Sequence, residues 1–206
     1  MTMPNFLLIG ANKAGTTSMH RYLGEHPEIY LSTLKEPTYF TLVNTDIDKE
    51  DPAYRTTLLE AIDNLEDYQA LFDGITDEKS FGELSTSYLY SQHAANQIKA
   101  AIPDVKLMAI LRNPIERAYS NYLMYLSWGI EDRLDFAEVI RTEEQHMGDF
   151  SSQDWGYLRN GLYFLPLRHY FSLFPKNHIK LFLFDDLEQD TSRVVGEMYR
   201  FLGVNP

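Results

Sequence analysis

A short segment near the N-terminus carries the residues best suited to binding an anion. The apolar run at 6–10 ends in glycine and is followed by Ala11, Asn12, Lys13, Ala14, Gly15, Thr16, Thr17 and Ser18. This order is typical of a buried strand, a tight turn and a helix N-terminus, where free N–H groups and the helix dipole favour phosphate. Gly15 lets the backbone approach the anion, Lys13 adds a positive charge, and the hydroxyls add donors. The alternative is an ordinary strand-to-helix turn with a Ser/Thr cap, but so many donors beside a lysine favour the anion site.

The composition limits which anions the protein can bind. The chain has 206 residues, of which 18 are basic and 30 acidic, and its formal net charge is −12. Such a protein repels nucleic acid and polyanionic glycans across a broad surface, so an anionic ligand has to be held by a local cluster of Lys and Arg. We therefore predict no nucleic-acid partner. There is no cysteine, which excludes disulfides, thiolate chemistry and a cysteine-based zinc site.

The N-terminal residues and the overall length give expectations about location and size. No basic segment comes before the first apolar run, and that run is too short for a signal peptide or a membrane span. A cytoplasmic protein without a membrane span is the simplest expectation, and the lack of cysteine fits a reducing compartment. The length suffices for one domain with a substantial core.

Hydrophobic patterns predict strands that alternate with helices. Strands are expected at 6–10, 29–31, 80–85, 106–112 and 179–185. Helices are expected after the anion loop and at 58–72, 91–101, 114–126, 136–147, 162–174 and 191–202. This alternation predicts an α/β domain of three layers, with a central parallel sheet flanked by helices. Ligands of such sheets bind beyond the carboxyl ends of the strands, where Lys13 and Arg112 both lie, so we expect the two side chains to line one crevice.

The glycine spacing also allows a nucleoside triphosphatase of the P-loop type, whose motif is G-x-x-x-x-G-K-[ST]. Gly10 and Gly15 have the required spacing, but Thr16 stands where the triphosphatase lysine belongs, and the lysine lies inside the loop at Lys13. The acidic pair at 185–186 has two interpretations, a magnesium-site aspartate or a helix cap. The missing lysine argues strongly against triphosphate hydrolysis.

Two segments together resemble a known family. Residues 13–18 (KAGTTS) resemble the 5′-phosphosulfate loop of the sulfotransferases that use 3′-phosphoadenosine-5′-phosphosulfate (PAPS), and residues 111–120 (LRNPIERAYS) resemble their 3′-phosphate segment. Weaker similarity at 35–40, 82–89 and 161–203 extends the resemblance over most of the chain. The bacterial and heparan-type enzymes are the most similar branch. The resemblance implies a P-loop-like fold and PAPS as the donor, with 3′-phosphoadenosine-5′-phosphate (PAP) as its product.

The resemblance also implies which residues bind the donor. The N–H groups of Gly15, Thr16 and Thr17, with the hydroxyls of Thr17 and Ser18, would hold the 5′-phosphate in a loop that includes Lys13 and Ala14. Arg112 and Ser120 would hold the 3′-phosphate, since a guanidinium binds phosphate bidentately. Arg117 is a weaker candidate, because it would otherwise lie on a solvated helix face or pair with Glu116.

The implied reaction is in-line transfer of a sulfuryl group to an acceptor hydroxyl or amine, without a metal. Lys13 would stabilise the charge that develops on the leaving oxygen. In the heparan-type branch a glutamate in a Lys-Glu-x-x-Phe/Tyr-Phe segment is the base, which assigns that role to Glu36, with Lys35 assisting. Glu36 could instead be a surface carboxylate before a turn. His20 is the rival base.

The acceptor is less well defined by the sequence. Glu83 is expected to face the crevice, and Tyr39, Tyr88 and Trp155 belong to the segments expected to form the acceptor pocket. Leu84 stands where heparan-type relatives often have a lysine, which argues against a heparan-like substrate. The acceptor expected is a small molecule, a lipid, a polyketide or a glycan, and the oligomeric state is left open.

The C-terminal end of the sequence departs from the family pattern. In the family, a loop rich in Gly, Lys and Arg follows the last helix and closes over the donor phosphates, whereas this sequence stops at Pro206. Either the sequence is truncated or closure over the nucleotide is achieved differently. Residues 1–206 are expected to form one sulfotransferase domain without that loop and with weakened donor affinity. A P-loop kinase or triphosphatase and a non-catalytic nucleotide-binding domain are the alternative functions.

Overall fold

A parallel sheet of five strands forms the centre of the protein. The computed structural model describes residues 2–45, 61–146 and 156–206. The strand order is β2-β3-β1-β4-β5, and every pairing between neighbours is parallel. The strands are β1 (Phe6–Leu8), β2 (Ile29–Leu31), β3 (Ser80–Leu84), β4 (Lys106–Leu111) and β5 (Ile179–Leu183).

Nine α-helices in the described ranges surround this sheet. They are α1 (Thr16–Gly24), α2 (Tyr39–Leu42), α3 (Leu65–Ala70), α4 (Gln92–Ala101), α5 (Pro114–Ser127), α6 (Phe136–Gln145), α7 (Phe164–Leu173), α8 (Phe184–Gln189) and α9 (Thr191–Leu202). Short 3₁₀ turns occupy Thr86–Tyr90, Arg159–Gly161 and Lys176–His178. The predicted α/β class with a central parallel sheet is confirmed.

The two central strands are apolar because helices cover both of their faces. Phe6, Leu7 and Leu8 of β1 are fully buried, as are all four residues at 107–110 of β4. Beyond β1, the backbone continues to pair with β4, since Ile9 N donates to Met108 O at 2.9 Å and Ala11 N donates to Ile110 O at 2.8 Å. This pairing fixes the start of the anion loop against the carboxyl end of β4.

Side-chain caps decide where several helices begin. Asn113 accepts hydrogen bonds from Ile115 N at 3.0 Å and Glu116 N at 3.4 Å, and Pro114 occupies the first position of α5, as its sequence predicts. Asn64 caps α3 from an extended conformation, accepting from Asp67 N at 2.9 Å. The helix predicted at 58–72 is therefore shorter than expected, since 61–64 are not helical. Residues 58–60 lie outside the described residues.

The fifth strand also ends earlier than predicted. It stops at Leu183, and Phe184 begins α8, which places Asp185 and Asp186 in the first turn of that helix. Acidic residues there interact favourably with the helix dipole. Asp186 also pairs with Arg193, at 3.1 Å. The expected helix cap is wrong in detail, since the pair lies inside the first turn and the helix has no side-chain cap hydrogen bond.

Candidate active site

The anion loop ends in a helix N-terminus that no side chain caps. Gly15 precedes α1 in the left-handed conformation, with φ 83° and ψ 12°, and makes no side-chain cap hydrogen bond. A Cβ atom at this position would lie 3.0 Å from Cε2 of Phe184, so both the conformation and the space require glycine. The N–H groups of the first turn of α1 have no partner within the helix, and they point towards the carboxyl edge of the sheet.

Three cationic side chains surround this helix N-terminus. Arg112 donates from Nη1 to the carbonyl oxygen of Lys13 at 3.2 Å, and its guanidinium lies 4.5 Å from the centroid of the Phe184 ring. Lys35 donates from Nζ to Oγ1 of Thr17 at 2.8 Å. Burial lowers the pKa of the Lys13 ammonium, and the charges of Arg112 and Lys35 lower it further. We call Lys13, Lys35 and Arg112 the cationic cluster, in which Lys13 lies close enough to the other two to be repelled by both.

The two lysines of the cationic cluster form no close ion pair in the described part of the chain. Among the described residues, no carboxylate forms an ion pair with Lys13 or Lys35. The Lys13 ammonium instead donates to Sδ of Met124 at 3.5 Å, and a thioether is a weak acceptor. Arg112 Nε pairs with Oε2 of Glu116 at 3.3 Å, and Glu116 is exposed. In a protein of net charge −12, this arrangement is a local positive site.

The remaining residues predicted to bind the donor lie around the same loop. Thr17 and Ser18 are exposed in the first turn of α1, whereas Ala14 is fully buried beneath the loop. Ser120 is half-buried on α5, one turn after Glu116. No hydrogen bond between described residues joins Ser120 to Arg112, so their shared contact with one phosphate stays a prediction.

Arg117 is neither solvated nor paired with Glu116, and both expectations for its side chain are wrong. It is fully buried, and it donates from Nη1 to Oδ1 of Asn12 at 3.1 Å and from Nη2 to the carbonyl oxygens of Gly156 and Tyr157. The physical reason is that Arg117 shares the buried face of α5 with Asn121, four residues later, which is also fully buried.

Asn12 connects the anion loop to the elements around it. Its Nδ2 donates to Oδ1 of Asn121 at 3.0 Å, while its Oδ1 accepts from Arg117 and, at 3.3 Å, from the hydroxyl of Tyr90. Sequence reasoning missed this residue, because its partners lie about eighty and more than a hundred positions away. Asn12 and Arg117 fix the conformation of the loop but do not face the helix N-terminus.

Glu36 lies in a constrained turn next to the cationic cluster. Glu36 and Thr38 have left-handed backbones, with φ 61° and 54°. The carboxylate accepts from Thr86 N at 2.6 Å and from the Thr86 hydroxyl at 3.2 Å. Burial raises the pKa of this carboxyl, while the Thr86 hydrogen bonds and the charge of Lys35 oppose the increase. Glu36 is therefore a positioned, half-buried carboxylate and not a surface one.

His20 also lies near Lys35. Burial lowers the pKa of its imidazole, a backbone hydrogen bond at Ser32 opposes this, and the Lys35 charge lowers the pKa further. Its Nε2 is buried without a hydrogen-bond partner in the described part of the chain. A neutral imidazole with a free ring nitrogen could accept a proton, so the structure brings both predicted bases close to Lys35.

The described residues that were predicted to contact the acceptor are buried beneath the site. Glu83 and Tyr88 are fully buried, and Tyr39 is 5% exposed and stacks on Tyr68 at a centroid distance of 4.3 Å. Direct contact with an acceptor does not agree with this burial, which arises because the side chain of Glu83 on β3 points into an aromatic layer. Trp155 lies outside the described residues.

Comparison with known proteins identifies the family. The family model described as "Sulfotransferase domain" matches residues 3–206. The chain belongs to the sulfotransferase family. This sulfotransferase is 33% identical to a protein of known crystal structure, a sulfotransferase from Alicyclobacillus acidocaldarius, with a TM-score of 0.86 over 100% of this chain and 83% of that one. The family match favours sulfuryl transfer over a P-loop kinase or triphosphatase.

Curated relatives include larger enzymes. The chain is 29% identical to the mouse (Mus musculus) bifunctional heparan sulfate N-deacetylase/N-sulfotransferase 4 over 99% of this chain and 23% of that protein. It is 28% identical to the human (Homo sapiens) heparan sulfate glucosamine 3-O-sulfotransferase 6 over 98% of this chain and 52% of that protein. The chain thus spans from about a quarter to about half of the length of these relatives. In the described ranges, no helix is both long and apolar enough to cross a membrane.

Proposed function

We propose that this chain transfers a sulfuryl group from PAPS to an acceptor hydroxyl or amine. The observation that carries the proposal is the arrangement of charges at the end of β1. There, an uncapped helix N-terminus meets Lys13, Lys35 and Arg112, and Lys35 lies between the first turn of α1 and Glu36. This arrangement offers a cationic site for phosphosulfate with a carboxylate base beside it. Membership of the sulfotransferase family supports the same reaction.

The residues of the anion loop fit the phosphate groups of the donor. Gly15 takes the left-handed conformation that the loop needs, and the N–H groups that follow it can donate to an anion without any capping side chain to displace. Arg112 can exchange its exposed partner Glu116 for a 3′-phosphate, with Ser120 adding a hydroxyl from the same helix. When bound, PAPS supplies the sulfuryl group and a phosphate leaving group.

The cationic cluster stabilises the leaving group, and Glu36 acts as the base. Lys13 places a protonated, positively charged ammonium at the anion loop. Negative charge develops there on the leaving oxygen as its bond to the sulfuryl group breaks. Glu36 accepts the proton of the acceptor, and burial makes its carboxylate a stronger base than an exposed one. Lys35 keeps Glu36 ionised and is close enough to Thr17 to contact the transferred group. We propose that lysine charges take the place of a metal.

The proposed acceptor is a small molecule, a lipid, a polyketide or a glycan of modest size that is not a polyanion. The net charge of −12 disfavours a heavily sulfated chain. Leu84 is buried in the core, so its apolar side chain does not bear on the acceptor. Names of the relatives refer to heparan sulfate and other carbohydrates, which supports a hydroxyl or amine of a sugar among the candidates. A cytoplasmic location stays a prediction.

A transfer assay tests the proposed function. The chain is incubated with radiolabelled PAPS, a chelator and a panel of hydroxylated and amino acceptors, and labelled products are separated. We expect at least one labelled product, which is lost in Lys13→Ala and Glu36→Ala and retained in Lys176→Ala. Lys176 is a matched control, because it is exposed and precedes β5, at the opposite end of the sheet from the site. No labelled product with any acceptor, although PAPS binds, would favour a non-catalytic nucleotide-binding domain.

A further inference from the structure

Two backbone N–H groups of the turn that carries Glu36 are linked to one buried carboxyl group. Thr38 N donates to Oγ of Ser85 at 3.1 Å, and that hydroxyl donates to Oε2 of Glu83 at 2.9 Å. Phe40 N donates to the hydroxyl of Tyr88 at 3.3 Å, and the Tyr88 hydroxyl hydrogen-bonds to Glu83. Each hydroxyl accepts a hydrogen bond from the turn and points its own hydrogen towards Glu83. Both hydrogen-bond chains therefore end at this carboxyl group.

A third hydroxyl reaches the same carboxyl from another element. Tyr68 on α3 donates to Oε1 of Glu83 at 3.2 Å. An ionised carboxylate can accept from Ser85, Tyr68 and Tyr88 at once, since it has only acceptor sites. A protonated carboxyl donates its own proton and is a weaker acceptor, so it polarises the Ser85 and Tyr88 hydroxyls less. Because a polarised hydroxyl oxygen is a better acceptor, the hydrogen bonds from Thr38 N and Phe40 N are strongest when Glu83 is ionised.

The surroundings of Glu83 make that ionisation sensitive to pH near neutrality. The side chain is fully buried, and no cation in the described ranges pairs with it. The groups that face it are Glu36, Ser85 and the phenols of Tyr68, Tyr88 and Tyr170. Burial raises the pKa of Glu83 to about 7, helped by the charge of Glu36 and opposed by the hydroxyl hydrogen bonds.

We propose that Glu83 is a positioning residue for Glu36, and that its ionised form holds the 36–40 turn so that the Glu36 carboxylate stays against Thr86. Its proximity to Glu36 is consistent with this role, because the next two residues after Leu84 supply both contacts: Ser85 holds Thr38, and Thr86 holds Glu36. The assignment rests on the proposed function only in calling Glu36 the catalytic base.

The amide proton of Thr86 reports this geometry directly. Its nitrogen lies 2.6 Å from Oε2 of Glu36, a short contact that shifts an amide resonance strongly downfield. The measurement is a series of ¹H–¹⁵N spectra of the full chain between pH 5 and pH 9. In the native sequence we expect the Thr86 amide to move downfield through a transition near pH 7. In Glu83→Gln, that transition is lost and the resonance lies upfield throughout.

Control variants separate positioning from general loss of structure. Glu143→Gln changes another buried carboxylate, which accepts from Leu158 N and Arg159 N far from the turn, and it should leave the Thr86 transition in place. Glu83→Asp keeps a carboxyl and should restore part of the transition. If Glu83→Gln does not fold, Ser85→Ala and Tyr88→Phe each remove one link and should each move the Thr86 amide upfield.

The outcomes distinguish this inference from the proposed function. A Thr86 transition near pH 7 that persists in Glu83→Gln would overturn the positioning role, as would an unmoved amide in both Ser85→Ala and Tyr88→Phe. PAP binding, measured in parallel by calorimetry, should stay within about threefold in all five variants, because the anion loop is untouched. Absence of PAP binding in the native sequence would contradict the proposed function while leaving the Thr86 result to decide the role of Glu83.

Discussion

Lys13 combines a half-buried ammonium with two neighbouring positive charges, and all three effects lower its pKa. A bound phosphosulfate would remove that repulsion, so the lysine is best stabilised when the donor is present. We predict that Lys13→Ala lowers the rate of sulfuryl transfer about 10²- to 10³-fold, as for other groups that stabilise developing negative charge. Lys13→Arg should recover only part of the rate. Initial rates at saturating PAPS measure this, and a rate unchanged in Lys13→Ala would remove the lysine from the chemistry.

The choice of base between Glu36 and His20 can be decided by two matched variants. Glu36 is held by Thr86 beside Lys35, whereas the free Nε2 of His20 is buried. Because the positioned carboxylate is the better candidate, Glu36→Gln should lower transfer by about 10²-fold or more, and His20→Asn by less than about tenfold. The same rate assay measures both. The reverse order of the two effects would make His20 the base.

Glu83 should make the protein less stable as pH rises. Its folded-state pKa of about 7 lies above the ordinary value of 4.5, so between these values the folded protein binds a proton that the unfolded chain has lost. The unfolding free energy therefore falls with pH across this window, by roughly 3 kcal/mol in total from this group. Urea denaturation at pH 5 and pH 8 should show a smaller decrease in Glu83→Gln. An equal decrease in both proteins would contradict the raised pKa.

Helix α5 supports the anion loop from below through Arg117. The guanidinium is fully buried, and its hydrogen bonds join α5 to two separate segments, the anion loop at Asn12 and the backbone at Gly156 and Tyr157. We predict that Arg117→Ala destabilises the protein by about 3 kcal/mol and also weakens PAP binding, because the loop loses a contact on its buried side. The exposed Arg193, which bonds to Glu197 and Asp186, is the matched control, and Arg193→Ala should cost only about 0.5 kcal/mol. Equal losses of stability would contradict this account of α5.

The ends of helices and strands were predictable from the sequence where neighbouring residues in the chain determine them. The last helix has the predicted bounds, Thr191–Leu202, since Asp190 caps it and Gly203 follows it in the left-handed conformation. Asn113 and Pro114 likewise specify the start of α5. The end of β5 was predicted two residues too late, because the apolar run continues through Phe184 into α8 while the backbone changes conformation.

The site was predictable only in part. The anion loop follows from its glycine, lysine and hydroxyl residues, and the structure gives it the expected uncapped helix N-terminus. The roles of Arg117 and Glu83 depend on groups that lie between 15 and 105 positions away, namely Asn12, the carbonyl oxygen of Tyr157 and the hydroxyl of Tyr68, and no periodicity reveals such contacts. The donor and acceptor roles of the predicted residues stay predictions.

The protein as a whole is negatively charged, but the cationic cluster makes the candidate site locally positive. With a net charge of −12, the chain should repel PAP at long range, while the cationic cluster attracts it at short range. These opposing effects explain why the three cations lie close together, with Lys13 in the anion loop, Lys35 beside the Glu36 turn and Arg112 at the end of β4. They also favour small or weakly charged acceptors over polyanions.

Calorimetric titration of the full chain with PAP, and separately with ATP and magnesium, tests the central claim most directly. The account predicts that PAP binds at a single site, that Lys13→Ala and Arg112→Ala weaken this binding, and that Lys176→Ala leaves it unchanged. ATP with magnesium should bind far more weakly. Tight binding of ATP with magnesium and no response to PAP would contradict the account.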